Sequence, residues 1–167
     1  MKKLFRLLAL AAVLAGLRAL PFRATDAARL TPVQTVIVRH DAGRYEIDVG
    51  KAVRGVGRTL SEALEALRRA ATGELFFRTA EQVVLVDPGV PDQEAIRAIV
   101  SEEAFRPAAG LYRTADPGPD TAAISAYLQS HPSNTTIGKL RGELLTGQDP
   151  LLPVIRQADG GYLVETP

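Results

Sequence analysis

Residues 57–86, GRTLSEALEALRRAATGELFFRTAEQVVLV, hold a helix start, a helix, a stop and a strand in unbroken succession. Thr59-Leu60-Ser61-Glu62 has the form of a capping box, in which a hydroxyl and a carboxylate satisfy the first free N–H groups of a helix. Leu60, Ala63, Leu64, Leu67 and Ala71 follow at helical spacing and form one apolar stripe. Gly73 marks the stop. Gln82–Val86 is a short apolar β-branched run, closed by the turn signal Asp87-Pro88-Gly89, and reads as a buried strand. A one-faced helix leading to a fully apolar strand predicts a sheet with helices packed against it.

Before this stretch, 33–38 (VQTVIV) and 45–49 (YEIDV) are β-rich runs joined by Asp41-Ala42-Gly43, a hairpin pattern, and residues 50–57 read as a flexible connector. After it, 91–101 predicts a second helix, with Pro91 in its first turn and Glu94 near the positive end of the dipole. Ala95, Ile96, Ile99 and Val100 make its inner side. Residues 108–114 (AAGLYRT) read as a strand, and Asp120 as the cap of a third helix reaching about Gln129. His131-Pro132 ends that helix, because the residue before proline is steered away from αR. A shorter helix is expected over 136–145. Residues 152–157 and 162–165 flank Asp159-Gly160-Gly161 as a closing hairpin. The expected class is α+β, a mixed β-sheet packed with helices in the order ββ-α-β-α-β-α-α-ββ.

The chain has 167 residues, 46% hydrophobic and 23% charged, a composition that folds around a core. Met1-Lys2-Lys3 and Arg6 form a basic region followed by the apolar run 7–17, the order of a secretory signal, and too short to span a bilayer comfortably before Arg18 interrupts it. Residues 1–27 are therefore expected to be a signal peptide or marginal membrane anchor, and 28–167 a single α+β domain. Thr25-Asp26-Ala27 places small residues for cleavage after Ala27. Leu14-Ala15-Gly16-Leu17 has the shape of a lipobox with leucine in place of the lipidated cysteine. No cysteine occurs anywhere, which excludes disulfides, thiol catalysis, Cys-bound zinc and thioether lipidation. Lys and Arg (20) nearly balance Asp and Glu (19), no Trp is present, and Tyr and Phe number only 4 and 5, a poor endowment for nucleic-acid binding.

The residue types that carry chemistry form no recognisable motif. His40-Asp41 reads as a solvated polar pair at a turn, and His131 as a helix end. Ser125, His131 and Asp120 could be written as a triad, but no Gly-x-Ser-x-Gly elbow supports them. Gly55-Val56-Gly57 precedes a helix yet lacks the third glycine of a dinucleotide fingerprint and the Lys-Ser/Thr of a phosphate loop. Asp116 and Asp120 are separated by prolines that do not fit a calcium loop. The expectation is no catalytic, cofactor-binding or metal-binding residues, and a protein that is not an enzyme.

Gly57-Arg58-Thr59-Leu60-Ser61-Glu62-Ala63-Leu64, then Leu75-Phe76-Phe77 and Val83-Val84-Leu85-Val86, resembles the N-terminal domain of the Ger(x)C proteins, the C-subunit lipoproteins of nutrient-germinant receptors in endospore-forming bacteria. Glu103-Ala104-Phe105-Arg106 leading into Ala109-Gly110-Leu111-Tyr112 resembles the same family's step into its next strand. The resemblance runs over residues 33–155. Three departures stand out: Leu17 replaces the lipobox cysteine, the Trp-Asp that usually follows it is missing, and Arg78-Thr79 replaces the Gly-His after the Phe-Phe pair. It implies an exported, non-enzymatic, stand-alone relative at the outer face of the cytoplasmic membrane or secreted. Its expected partners are germinant-receptor membrane subunits, and the membrane surface through the N-terminal segment if uncleaved. An unrelated exported ligand- or envelope-binding module is the alternative, followed by a small envelope hydrolase.

Overall fold

The computed structural model describes residues 30–50, 53–89, 91–158 and 161–166. The expected targeting segment and residues 159 and 160 of the closing turn lie outside them. The elements are β1 (Leu30–Pro32), β2 (Thr35–Asp41), β3 (Arg44–Asp48), β4 (Arg54–Gly57), α1 (Leu60–Ala70), β5 (Glu74–Phe76), β6 (Gln82–Val86), α2 (Gln93–Ser101), β7 (Gly110–Thr114), α3 (Thr121–Ser130), α4 (Ile137–Leu145), β8 (Val154–Ala158) and β9 (Gly161–Glu165). A seven-stranded mixed sheet has the order β4-β3-β2-β6-β7-β8-β9, and β1 pairs with β5 in a small parallel sheet. Strands β2, β6, β7 and β8 run parallel, and antiparallel strands finish both sides. The class is α+β.

Alternation along the strands divides the core in two. Val36, Val38, Val83, Leu85 and Leu111 face a cluster completed by α1, α2 and α4. Ile37, Val84, Val86 and Tyr112 face the opposite way, against Ile124 and Leu128 of α3. Being covered on both sides explains why β6 is a continuous apolar run rather than an alternating one. One buried polar pair spans the ladder: the Thr35 hydroxyl donates to Gln82 Oε1 at 2.8 Å, satisfying both where their strands align.

Each α-helix among the described residues starts on a side-chain cap. Thr59, Asp92, Asp120 and Thr136 accept from the N–H groups of Glu62, Ala95, Ala122 with Ala123, and Lys139. The capping box forms with one variation, since Glu62 Oε2 accepts the N–H of Arg58 rather than of Thr59. The second helix starts at Gln93, later than Pro91, because Asp92 takes the cap. At its other end Arg141 of α4 donates twice to the Val100 carbonyl, at 3.0 and 2.6 Å, and ties α4 to α2.

Residues 54–57 are not a flexible connector but the strand β4, paired with β3 from Tyr45↔Gly57 to Asp48↔Arg54. Two glycines disguise it. A Cβ at Gly55 would lie 2.1 Å from the Ala63 carbonyl oxygen, and one at Gly57 would lie 2.5 Å from the Ala63 nitrogen. Helix α1 rests directly on the β4 backbone, so these positions need glycine for close approach. The short strands β1 and β5 are likewise additions to the expected order.

The β2–β3 hairpin forms as expected, and its two turn residues both have positive φ, Ala42 at 48° and Gly43 at 71°. That is the signature of a type I′ turn, in which a non-glycine residue other than Asn or Asp is disfavoured. Ala42→Asn is expected to raise stability by about 0.5–1 kcal/mol, measured by chemical denaturation.

Candidate functional site

His40, expected as a solvated turn residue, sits near the end of β2 with its side chain 10% exposed. Its ring stacks on Tyr45 with centroids 4.2 Å apart, and Nδ1 lies 2.5 Å from Oδ2 of Asp92, the cap of α2. Asp87, buried at the end of β6, supports the arrangement: its carboxylate accepts the N–H groups of Gly89 and Asp92. The strand end, the turn and the helix start are thereby locked together. Burial pushes the Asp92 carboxyl up, but the hydrogen bond from His40, the N–H groups at the helix start and the imidazole's charge outweigh it and hold the carboxyl below its ordinary range. Burial, with the charges of Glu94 and Asp92, raises the Tyr45 phenol.

A carboxylate on one imidazole nitrogen is the orienting half of a catalytic dyad. The other nitrogen, Nε2, is buried and has no hydrogen-bond partner among the described residues. The pair works as a clamp between β2 and α2.

The remaining sequence candidates are dispersed. Asp120 and His131 cap opposite ends of α3, and the ten residues of helix between them hold them roughly 16 Å apart, so Ser125, His131 and Asp120 make no triad. His131 ends the helix as expected, with its ring stacked on Tyr127 and Nδ1 3.0 Å from the Tyr127 carbonyl. Asp116 is occupied by the N–H of Gly118 at 2.9 Å. Gly55-Val56-Gly57 is strand β4 under α1.

A cleft of about 690 Å³ lies elsewhere, between β5 with the end of α1 and the turn that follows α2. Arg68, Phe76 and Arg78 form one wall, and Glu102, Glu103 and Ala104 the other. Phe76 is 39% exposed, unusual for so large an apolar side chain. Beneath it Phe77 meets Phe105 edge-on at 6.4 Å, and the Arg68 guanidinium lies 5.2 Å over the Phe77 ring. Thr79 fixes the end of β5, its hydroxyl 3.1 Å from the Val33 N–H that it accepts and 2.7 Å from the Phe76 carbonyl. A cleft with an exposed aromatic and opposed charges suits a polypeptide partner carrying both an apolar side chain and polar groups. The exposure of Phe76 is not legible from sequence, since a Phe-Phe pair reads as core. Among the described residues, no helix is long and apolar enough to cross a membrane.

No family model matches this chain, and comparisons with curated proteins and with solved structures give no match.

Proposed function

We propose that this chain is an exported, non-enzymatic domain of the Ger(x)C type that acts by protein contact at the outer face of the cytoplasmic membrane, with receptor membrane subunits as its partners. One observation carries the reading. Two of the stretches that bear the family resemblance, Leu75-Phe76-Phe77 and Glu103-Ala104, are far apart in sequence and converge on the walls of the 690 Å³ cleft. The most specific stretch, Gly57–Leu64, has a structural task, seating α1 on the β4 backbone. Arg78, which stands where the resembled family has glycine, lines the same cleft.

The test is binding of the full chain to detergent-solubilised receptor membrane subunits encoded beside it. Wild type is expected to bind, and Phe76→Ala combined with Arg78→Glu to weaken binding by about 100-fold with thermal unfolding unchanged. Absence of such subunits among the gene's neighbours together with no binding by wild type overturns the proposal, and equal binding by the double variant removes the cleft from it.

A further inference from the structure

The two edges of the seven-stranded sheet are finished differently. At one, β4 is short, rich in glycine and overlaid by α1, and Arg54 projects from it into ion pairs with Glu46 and Asp48. At the other, β9 has no described neighbour beyond β8 and contains neither proline nor lysine, the usual blocks to edge pairing. Strand β8 meets β7 only at Val154 and Ile155, so the hairpin of β8 and β9 overhangs the sheet.

The register fixes what β9 offers. Ala158 pairs with Gly161 across a two-residue connection, which closes on a hydrogen-bonded pair, and the alternation then makes Arg156 with Leu163 hydrogen-bonded as well. The N–H and C=O groups of Tyr162 and Val164 therefore point outward, away from β8. Leu163, between them, is 49% exposed on one face, whereas Tyr162 and Val164 are partly buried on the other against the α3 cluster.

We infer that β9 is a homodimer edge, pairing antiparallel with β9 of a second copy about a two-fold axis at Leu163. The sequence of the strand is self-complementary in this register. Leu163 falls opposite Leu163, Tyr162 opposite Val164, and Gly161 opposite Glu165. The strand's only charge therefore meets a glycine, and Arg156 already neutralises it at 3.0 Å. Tyrosine beside a β-branched residue is a favourable cross-strand pair. The outward backbone groups of Tyr162 and Val164 find partners in the second copy, and two half-exposed leucines cover each other. An isologous contact of this kind closes on itself and does not propagate.

The absence of cysteine in the wild type makes the register directly testable. Leu163 would face its copy at a non-hydrogen-bonded position, with Cα atoms about 4.5 Å apart, within disulfide reach. Under mild oxidation the full chain carrying Leu163→Cys is expected to run as a covalent dimer, and one carrying Val56→Cys, exposed on β4, to show no covalent dimer. By sedimentation, wild type should be a dimer and Leu163→Lys a monomer with an unchanged circular dichroism spectrum. A monomeric wild type overturns the inference. So does a wild-type dimer in which Leu163→Cys fails to cross-link, or cross-links no better than Val56→Cys, because the contact then lies elsewhere or is random collision.

Discussion

Gly55→Ala is expected to destabilise the protein by about 3 kcal/mol or more, although it adds a single methyl group. The new Cβ would stand 2.1 Å from the Ala63 carbonyl oxygen and 2.6 Å from Leu67 Cβ. Its nearest neighbour is helix backbone, which cannot rotate out of the way as the tip of a long side chain can. Either α1 lifts off β4, exposing Leu64 and Leu67, or β4 separates from β3. Both outcomes give up core packing. The control is Gly142→Ala in α4, where a Cβ meets nothing within 4 Å. There alanine improves helix propensity and should stabilise by up to about 1 kcal/mol. Urea denaturation of the two variants should move in opposite directions, and equal midpoints would contradict the seating of α1 on the strand.

The second large effect is at Asp92. Asp92→Ala removes the acceptor for the Ala95 N–H and leaves Nδ1 of a nearly buried His40 without its partner. Losing the cap costs about 1 kcal/mol and stranding the imidazole another 1–3 kcal/mol. The sign of the pH dependence follows from the lowered carboxyl. A group whose folded-state pKa is depressed binds fewer protons in the native than in the unfolded state, so its contribution grows with pH through that window. The contribution is complete above the ordinary carboxylate range. It is lost as pH falls through the depressed native value. Thermal unfolding followed as a function of pH should show the gap between wild type and Asp92→Asn constant above about pH 5 and shrinking below about pH 4. A gap that persists unchanged into strong acid would mean that the charge on Asp92 contributes nothing.

Local signals in the sequence carried most of the architecture. The capping box, the stripe from Leu60 to Leu67, the unbroken run Gln82–Val86 and the Asp120 cap each act within a few residues, and each appears where the pattern puts it. Strand β4 was illegible because its glycines answer to a helix backbone that arrives only after folding, and no local preference for extended structure reports that. The clamp was illegible for another reason. His40 and Asp92 are 52 residues apart, and their meeting depends on β2 and β6 being adjacent, parallel and in register. A histidine followed by aspartate and a turn looks solvated until the chain is closed. The cleft combines both difficulties, since its two walls come from segments far apart in sequence, and its exposed phenylalanine belongs to a pattern that normally marks a core.

The proposal that the cleft beside β5 is a protein-contact surface is tested most directly by a photoreactive residue placed at position 76 of the full chain in living cells, with position 39 as a second site, because Arg39 lies on a different part of the surface, in contact with Glu46. Irradiation is predicted to join position 76, and not position 39, to a polytopic membrane protein encoded beside this chain. No adduct at position 76, or the same adduct at both positions, would contradict it.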